Sequence, residues 1–200
     1  MPKVVDRQNR RRSVAEAIHR IAARGGLEEV SVRMVATEAG LSVGAVQRAF
    51  PTKNDLLRFA LDTSVDEVAA RFSRIRIGPE LLTFAEGLRA VLVDLLPTDE
   101  RRRAQIRIWA AYYARAAVDP EFAKVLADLD TRSRANLTAA LTYARDQGEL
   151  TSGQDIDALV ELLMVIIDGL WLTCARLPEG TDLSGPRAAI DAAVALVSAR

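Results

Sequence analysis

The 200-residue chain has one cysteine and one histidine. A lone Cys174 excludes an intrachain disulfide framework and fits a reducing compartment. One Cys and one His are too few ligands for an ordinary zinc site. No charge sign is in excess: Lys+Arg and Asp+Glu each number 27, so the whole-chain charge gives no hint of a polyanionic partner. Long hydrophobic runs are missing as well. The greasiest stretch, Leu162 to Ile167, is bracketed by Glu161 and Asp168 and is too short to span a bilayer. The start, Met1-Pro2-Lys3-Val4-Val5-Asp6-Arg7, lacks the apolar run of a signal peptide. No membrane association and a cytoplasmic location are therefore expected. There is no glycine-rich phosphate loop and no nucleophile elbow, and the acidic residues fall at expected solvent-facing positions. No enzymatic activity, metal or cofactor is expected.

What is present is helical. Half the residues are hydrophobic, enough for a sizeable core. Alternating β-branched runs do not occur, whereas Ala, Leu and Arg recur with helical spacing. Proline and glycine divide the chain into nine predicted helices, at 8–24, 32–39, 43–50, 53–76, 80–95, 99–117, 120–147, 155–176 and 186–199. The expected fold is all-α. The zero net charge also conceals a polarity: residues 1–60 carry 11 basic and 6 acidic residues, the rest 16 and 21. A +5 segment joined to a −5 remainder points the N-terminal part at a polyanion.

The first four helices carry most of the information. Val14, Ala17, Ile18, Ile21 and Ala22 form an apolar stripe on the first, and His19 falls off it, at an expected exposed position. Ser31 opens a short helix with Val32, Val35, Ala36 and Ala39 turned inward. Gly40 then supplies a left-handed turn residue, Leu41 plugs the corner and Ser42 can N-cap the next helix. On that third helix Val43, Val46 and Phe50 share one face, and Gly44, Ala45, Gln47 and Arg48 point outward. This is helix-turn-helix spacing. Gln suits adenine N6/N7 and Arg suits guanine O6/N7 in a major groove, while Gly44 and Ala45 let the backbone come close. Thr52 and Asp55 fit a capping box at the start of the fourth helix. There Lys53 opposes the helix dipole without an intrahelical partner, and a phosphate beside it would supply one. Lys3, Arg7, Arg10, Arg11 and Arg12 form a basic arm ahead of the first helix. Arg101-Arg102-Arg103 is read as a solvated first turn.

The stretch Ser31 to Gly44, SVRMVATEAGLSVG, and the later Phe50-Pro51-Thr52-Lys53-Asn54-Asp55-Leu56-Leu57 resemble the DNA-binding domain of TetR-family regulators. The resemblance runs from Arg10 to Leu57 and departs from the family where Gln47 stands in place of the usual Tyr, and at Ala49. Ile167-Asp168-Gly169-Leu170-Trp171-Leu172 resembles the C-terminal domain of the betaine-pathway repressor subgroup. The resemblance implies a DNA-binding domain over 1–52 and a helical effector-binding and dimerisation domain over 53–200. It implies DNA contacts at Arg11, Arg12, Ser31, Arg33, Ser42, Val43, Gly44, Ala45, Gln47, Arg48, Thr52 and Lys53.

In the later helices, Trp109, Tyr112 and Tyr113 share one face, either as core packing or as the wall of an effector cavity. Phe84, Leu88, Met164, Asp168 and Trp171 are the other candidates to face an effector. Helix eight is apolar nearly all round and must be covered on almost every side. Leu159, Leu163, Ile166 and Leu170, with Ile190, Val194 and Val197 of helix nine, are the expected dimer face, which resembles the family's four-helix interface. Together these features describe a homodimeric regulator on a palindromic double-stranded operator, a repressor released by an unidentified small molecule. The alternatives are an effector-independent helix-turn-helix protein and, more remotely, an all-α carrier or enzyme.

Overall fold

The computed structural model describes residues 2–78 and 80–198, with side chains from Arg10 onward. Among these residues there are nine α-helices and no β-strand. They are α1 (Pro2–Gly25), α2 (Val32–Ala39), α3 (Val43–Ala49), α4 (Lys53–Phe72), α5 (Phe84–Asp94), α6 (Glu100–Ala116), α7 (Pro120–Asp146), α8 (Ile156–Ala175) and α9 (Ser184–Val197). A single 3-10 turn, Leu27–Glu29, joins α1 to α2.

The boundaries differ from expectation by more than two residues at three points. α1 begins at Pro2, so the basic segment is a helical extension rather than an arm ahead of the helix; the side chains of Lys3 and Arg7 lie outside the described residues. α4 stops at Phe72, not 76, and α5 starts at Phe84, not 80. Thr83 fixes that second start through a reciprocal capping box, its hydroxyl accepting from the Glu86 N–H while Glu86 accepts from the Thr83 N–H at 2.9 Å. In the intervening loop Ile77 lies so close to Gly87 that a Cβ there would stand 2.5 Å from Ile77 Cγ1.

The chain divides into two compact units. One runs to Val68 and includes Arg107–Val125; the other holds Ala69–Ile106 and everything from Leu126. The division does not coincide with the expected domain boundary after residue 52, because the end of α6 and the start of α7 belong with the N-terminal helices. In the first unit Val14, Ala17, Ile18 and Ile21 are buried, as are Val35, Val46, Leu56, Leu57 and Leu61. Tyr112 is fully buried there: its hydroxyl donates to the Leu57 carbonyl at 3.3 Å and its ring stacks on Phe122.

In the second unit α9 lies along α5 and α8, with Arg89 of α5 pairing with Asp191 of α9 at 2.7 Å. Its interior takes Phe84, Leu88, Leu92, Leu163, Met164 and Ile190. Arg102 is not solvated as expected. It pairs with Asp94 at 2.7 Å, and Asp94 also receives Arg71 at 2.8 Å, so this carboxylate, only 17% exposed, is held between two guanidinium groups. The expectation that acidic residues face solvent fails at Asp94 for that reason: two cations compensate its burial. As a whole, α8 is long and apolar enough by length and composition to cross a membrane, beyond the reach of its six-residue apolar run. In this fold one side of α8 is buried in the second unit, through Leu159, Leu163 and Leu170.

Candidate nucleic-acid interface

The turn between α2 and α3 is built by local chemistry. Ser31 N-caps α2, its Oγ accepting from the Met34 N–H at 3.3 Å, and Ser42 N-caps α3 by accepting from Ala45 at 3.2 Å. Gly40 ends α2 with φ +67°, a left-handed conformation that costs an L side chain about 1–2 kcal/mol. The Leu41 N–H then reaches back to the Ala36 carbonyl at 2.8 Å and the Gly40 N–H to Thr37 at 3.2 Å, which closes the helix end in a Schellman motif. Val35, Ala36 and Val46 are buried at the crossing of the two helices. Arg20 and Arg24 of α1 both reach Glu38 of α2 at 2.7 Å, fixing that pair to the first helix. The two guanidinium groups hold the Glu38 carboxyl down at about 2.

This scaffold leaves one surface of α3 open. Gly44, Gln47 and Arg48 are exposed, and Ala45 is half-buried. A Cβ on Gly44 would meet only the Arg48 guanidinium, at 3.6 Å, so internal packing does not demand glycine there. Val43 is a correction. It was expected to turn inward with Val46 and Phe50, yet it is 43% exposed, because the first turn of a seven-residue helix extends past the α2 contact. That exposure leaves it on the surface with Gly44. Arg33 and Thr52 are exposed, and so are Arg11 and Arg12. The Arg11 guanidinium sits over the Phe59 ring at 4.5 Å, and Phe59 in turn lies 4.9 Å from Phe50.

Lys53 was expected to lack an intrahelical partner; the partner it has lies outside α4, its ammonium donating to the Glu28 carbonyl at 2.7 Å, with a Glu28 carboxylate oxygen at 3.4 Å, a contact between residues 25 positions apart. One residue departs from expectation. His19 is not exposed. Its Nε2 lies 3.2 Å from the Ala60 carbonyl and 2.9 Å from the Ser64 hydroxyl, so it joins α1 to α4. Burial depresses the His19 pKa, opposed by the Ala60 hydrogen bond and the charges of Glu67 and Glu16.

The candidate effector residues fall into two groups. Trp109, Tyr112 and Tyr113 belong to the first unit; Phe84, Leu88, Met164, Asp168 and Trp171 belong to the second. Neither unit brings the full set together. Burial raises the pKa of the Tyr112 phenol, with the charge of Asp62 adding to the shift.

Most of the expected dimer stripe faces inward. Leu159, Leu163, Leu170, Ile190, Val194 and Val197 are each at most 9% exposed, and Ile166 is half-buried. The six buried side chains belong to the unit's own interior. Val165 (67% exposed), Gly169 and Leu172 (50%) of α8 lie on the open side, with Ala188, Ala192 and Leu196 (57%) of α9.

A helix-turn-helix with a small-residue, polar reading face, joined to a separate helical unit, defines a DNA-binding regulator. Residues 15–59 match the family described as bacterial regulatory proteins, tetR family, and residues 84–198 match the BetI-type transcriptional repressor C-terminal domain. The regulator PksA of Bacillus subtilis is 33% identical over 172 residues, covering 86% of this chain and 82% of its own. The regulator BetI of Vibrio vulnificus is 23% identical over 192 residues, covering 96% and 93%. A transcriptional regulator from Rhodococcus superposes with TM-score 0.81 at 33% identity, covering 94% of this chain and 95% of that one. A regulator from Saccharomonospora viridis, solved in complex with choline, gives TM-score 0.82 at 23% identity, covering 95% and 98%. The chain belongs to the TetR family and is a DNA-binding transcriptional regulator.

Proposed function

We propose that this regulator is a cytoplasmic repressor that binds a palindromic operator as a homodimer and leaves it when a small molecule binds. The observation that carries the reading is the exposed face of α3. Gly44, Gln47 and Arg48 are open to solvent on a helix whose opposite side is locked by Val46 and whose start is capped by Ser42. In this reading Gln47 and Arg48 reach base edges in a major groove, Val43 offers an apolar contact to a thymine methyl, and Ser31, Arg33, Ser42, Thr52 and Lys53 meet phosphates. Arg11 and Arg12 add backbone contacts beside them. Gln47 stands where the family usually has Tyr, which fits base readout at that position. The two reading helices of a dimer must lie about 34–36 Å apart to enter successive major grooves.

The dimer is assigned to the open side of α8 and α9, through Val165, Gly169, Leu172, Ala188, Ala192 and Leu196. Gly169 and the two alanines favour close helix approach. The effector is assigned to Met164, Asp168 and Trp171 at helical spacing on α8, with Phe84 and Leu88 on α5. A carboxylate one turn from an indole suits an organic cation, and choline, the ligand of one structural neighbour, is an appropriate first probe.

Operator selection from random duplexes, followed by a metabolite screen that includes choline, tests the reading. Recovery of a two-fold symmetric site from which a metabolite displaces the protein supports it. A symmetric site that no metabolite affects favours an effector-independent DNA binder. Absence of any enriched sequence contradicts the proposal.

A further inference from the structure

Lys53 opens α4 with a positive charge facing the positive end of the helix dipole, an arrangement that favours an anion beside it. The anion present is Glu28. Its backbone carbonyl accepts from Lys53 Nζ at 2.7 Å and its carboxylate Oε2 lies 3.4 Å away. The Glu28 side chain is 83% exposed, so nothing packs it in place. The other oxygen, Oε1, faces a second cation, Arg115 Nη1, at 3.9 Å.

Arg115 is anchored from several sides. Asp119 receives its Nε and Nη2 at 3.1 and 3.0 Å, the Asn54 side-chain oxygen accepts at 3.3 Å, and the guanidinium lies 5.7 Å from the centre of the Phe122 ring. One exposed carboxylate is thus shared between Lys53 and an anchored Arg115.

We propose that Glu28 competes with a DNA phosphate for Lys53, and that Arg115 takes over the Glu28 carboxylate when Lys53 turns to the DNA. Both are positioning residues for the protein–DNA contact, and the proposal rests on the phosphate role assigned to Lys53. A backbone phosphate approaching Lys53 meets the Glu28 carboxylate as a like charge. Repulsion is relieved if that carboxylate moves toward Arg115, already within 3.9 Å, as the lysine turns to the phosphate. Arg115 lies one turn beyond Tyr112 on α6, so a displacement of α6 alters the share of the carboxylate left on Lys53.

The test is anisotropy titration of a labelled random-sequence duplex over a salt series, because a phosphate contact acts on every sequence. The proteins are the wild type, Glu28→Gln, Lys53→Ala, Arg115→Gln and the double variants of Glu28→Gln with each of the others. Glu28→Gln should tighten binding by about two- to fivefold, the span of an exposed ion pair, and should do nothing in the Lys53→Ala background. Arg115→Gln should weaken binding, and that loss should vanish once Glu28 is Gln. If Glu28→Gln tightens Lys53→Ala equally, Glu28 acts through the general field and the competition is refuted. If Lys53→Ala weakens binding while Glu28→Gln is silent, the proposal fails and the lysine contact stands. If Lys53→Ala changes neither affinity nor salt slope, the phosphate contact itself is lost. Glu28, exposed and free of packing, keeps the test decisive even if Arg115→Gln unfolds.

Discussion

Two titratable residues hold the first unit together in opposite ways. Glu38 is half-buried and ionised between Arg20 and Arg24, and its folded pKa of about 2 lies below its ordinary 4.5. A depressed carboxylate contributes stability that is complete above the unfolded value and disappears as pH falls through the folded one. Melting temperature should therefore drop between about pH 4.5 and pH 2 in the wild type, with a shallower drop in Glu38→Gln. An identical profile in both would remove the double ion pair as a determinant. His19 is half-buried and favours the neutral form, so its folded pKa lies below 6.5. Below that pH the unfolded chain takes up a proton that the folded one resists, and stability falls with acid. His19→Gln should melt at nearly the same temperature at pH 7.5 and 5.5 while the wild type loses stability at pH 5.5. Neither role is visible along the chain. Glu38 lies 14 and 18 positions from its arginines, and the partners of His19 lie 41 and 45 positions away.

At the level of single helices, most of the architecture is legible in sequence because its signals are local. Ser31, Gly40 and Ser42 define the turn between α2 and α3 through caps and a left-handed residue, all within three or four positions of their partners. The faces of α6 and α8 are harder. Trp109, Tyr112 and Tyr113 share one helical face, which fits either a core or a cavity wall. Tyr112 belongs to the core: it is fully buried, stacked and hydrogen-bonded. Tyr112→Ala should cost about 3–5 kcal/mol in denaturant unfolding, the range of large aromatic truncations, whereas Tyr112→Phe should lose only about 1 kcal/mol with its hydrogen bond. A cost below about 1 kcal/mol for the alanine variant would contradict a core role. On α8 nearly every position is apolar, so periodicity offers three stripes without ranking them. Only packing shows that Leu163 points inward and Val165 outward.

At the scale of the whole molecule, the proposed dimer face is the open side of α8 and α9. Val165 and Leu172 are large apolar groups more exposed than an isolated chain would favour. Val165→Asp combined with Leu172→Asp should convert a dimer to a folded monomer by light scattering, with operator affinity collapsing in parallel. A dimer that survives both substitutions would place the interface elsewhere. Leu163→Asp should instead yield misfolded protein, since a charge there is buried without a partner.

In the proposed complex α3 reads base sequence and Lys53 holds only the backbone. Binding of Arg48→Ala and Lys53→Ala to the selected operator and to a random duplex, each over a salt series, tests it most directly. Arg48→Ala should lose about 1–3 kcal/mol on the operator and relax the preference at one base step while changing random-duplex binding far less. Lys53→Ala should weaken both duplexes similarly and reduce the salt slope by about one. Equal losses from the two substitutions on both duplexes would contradict the account.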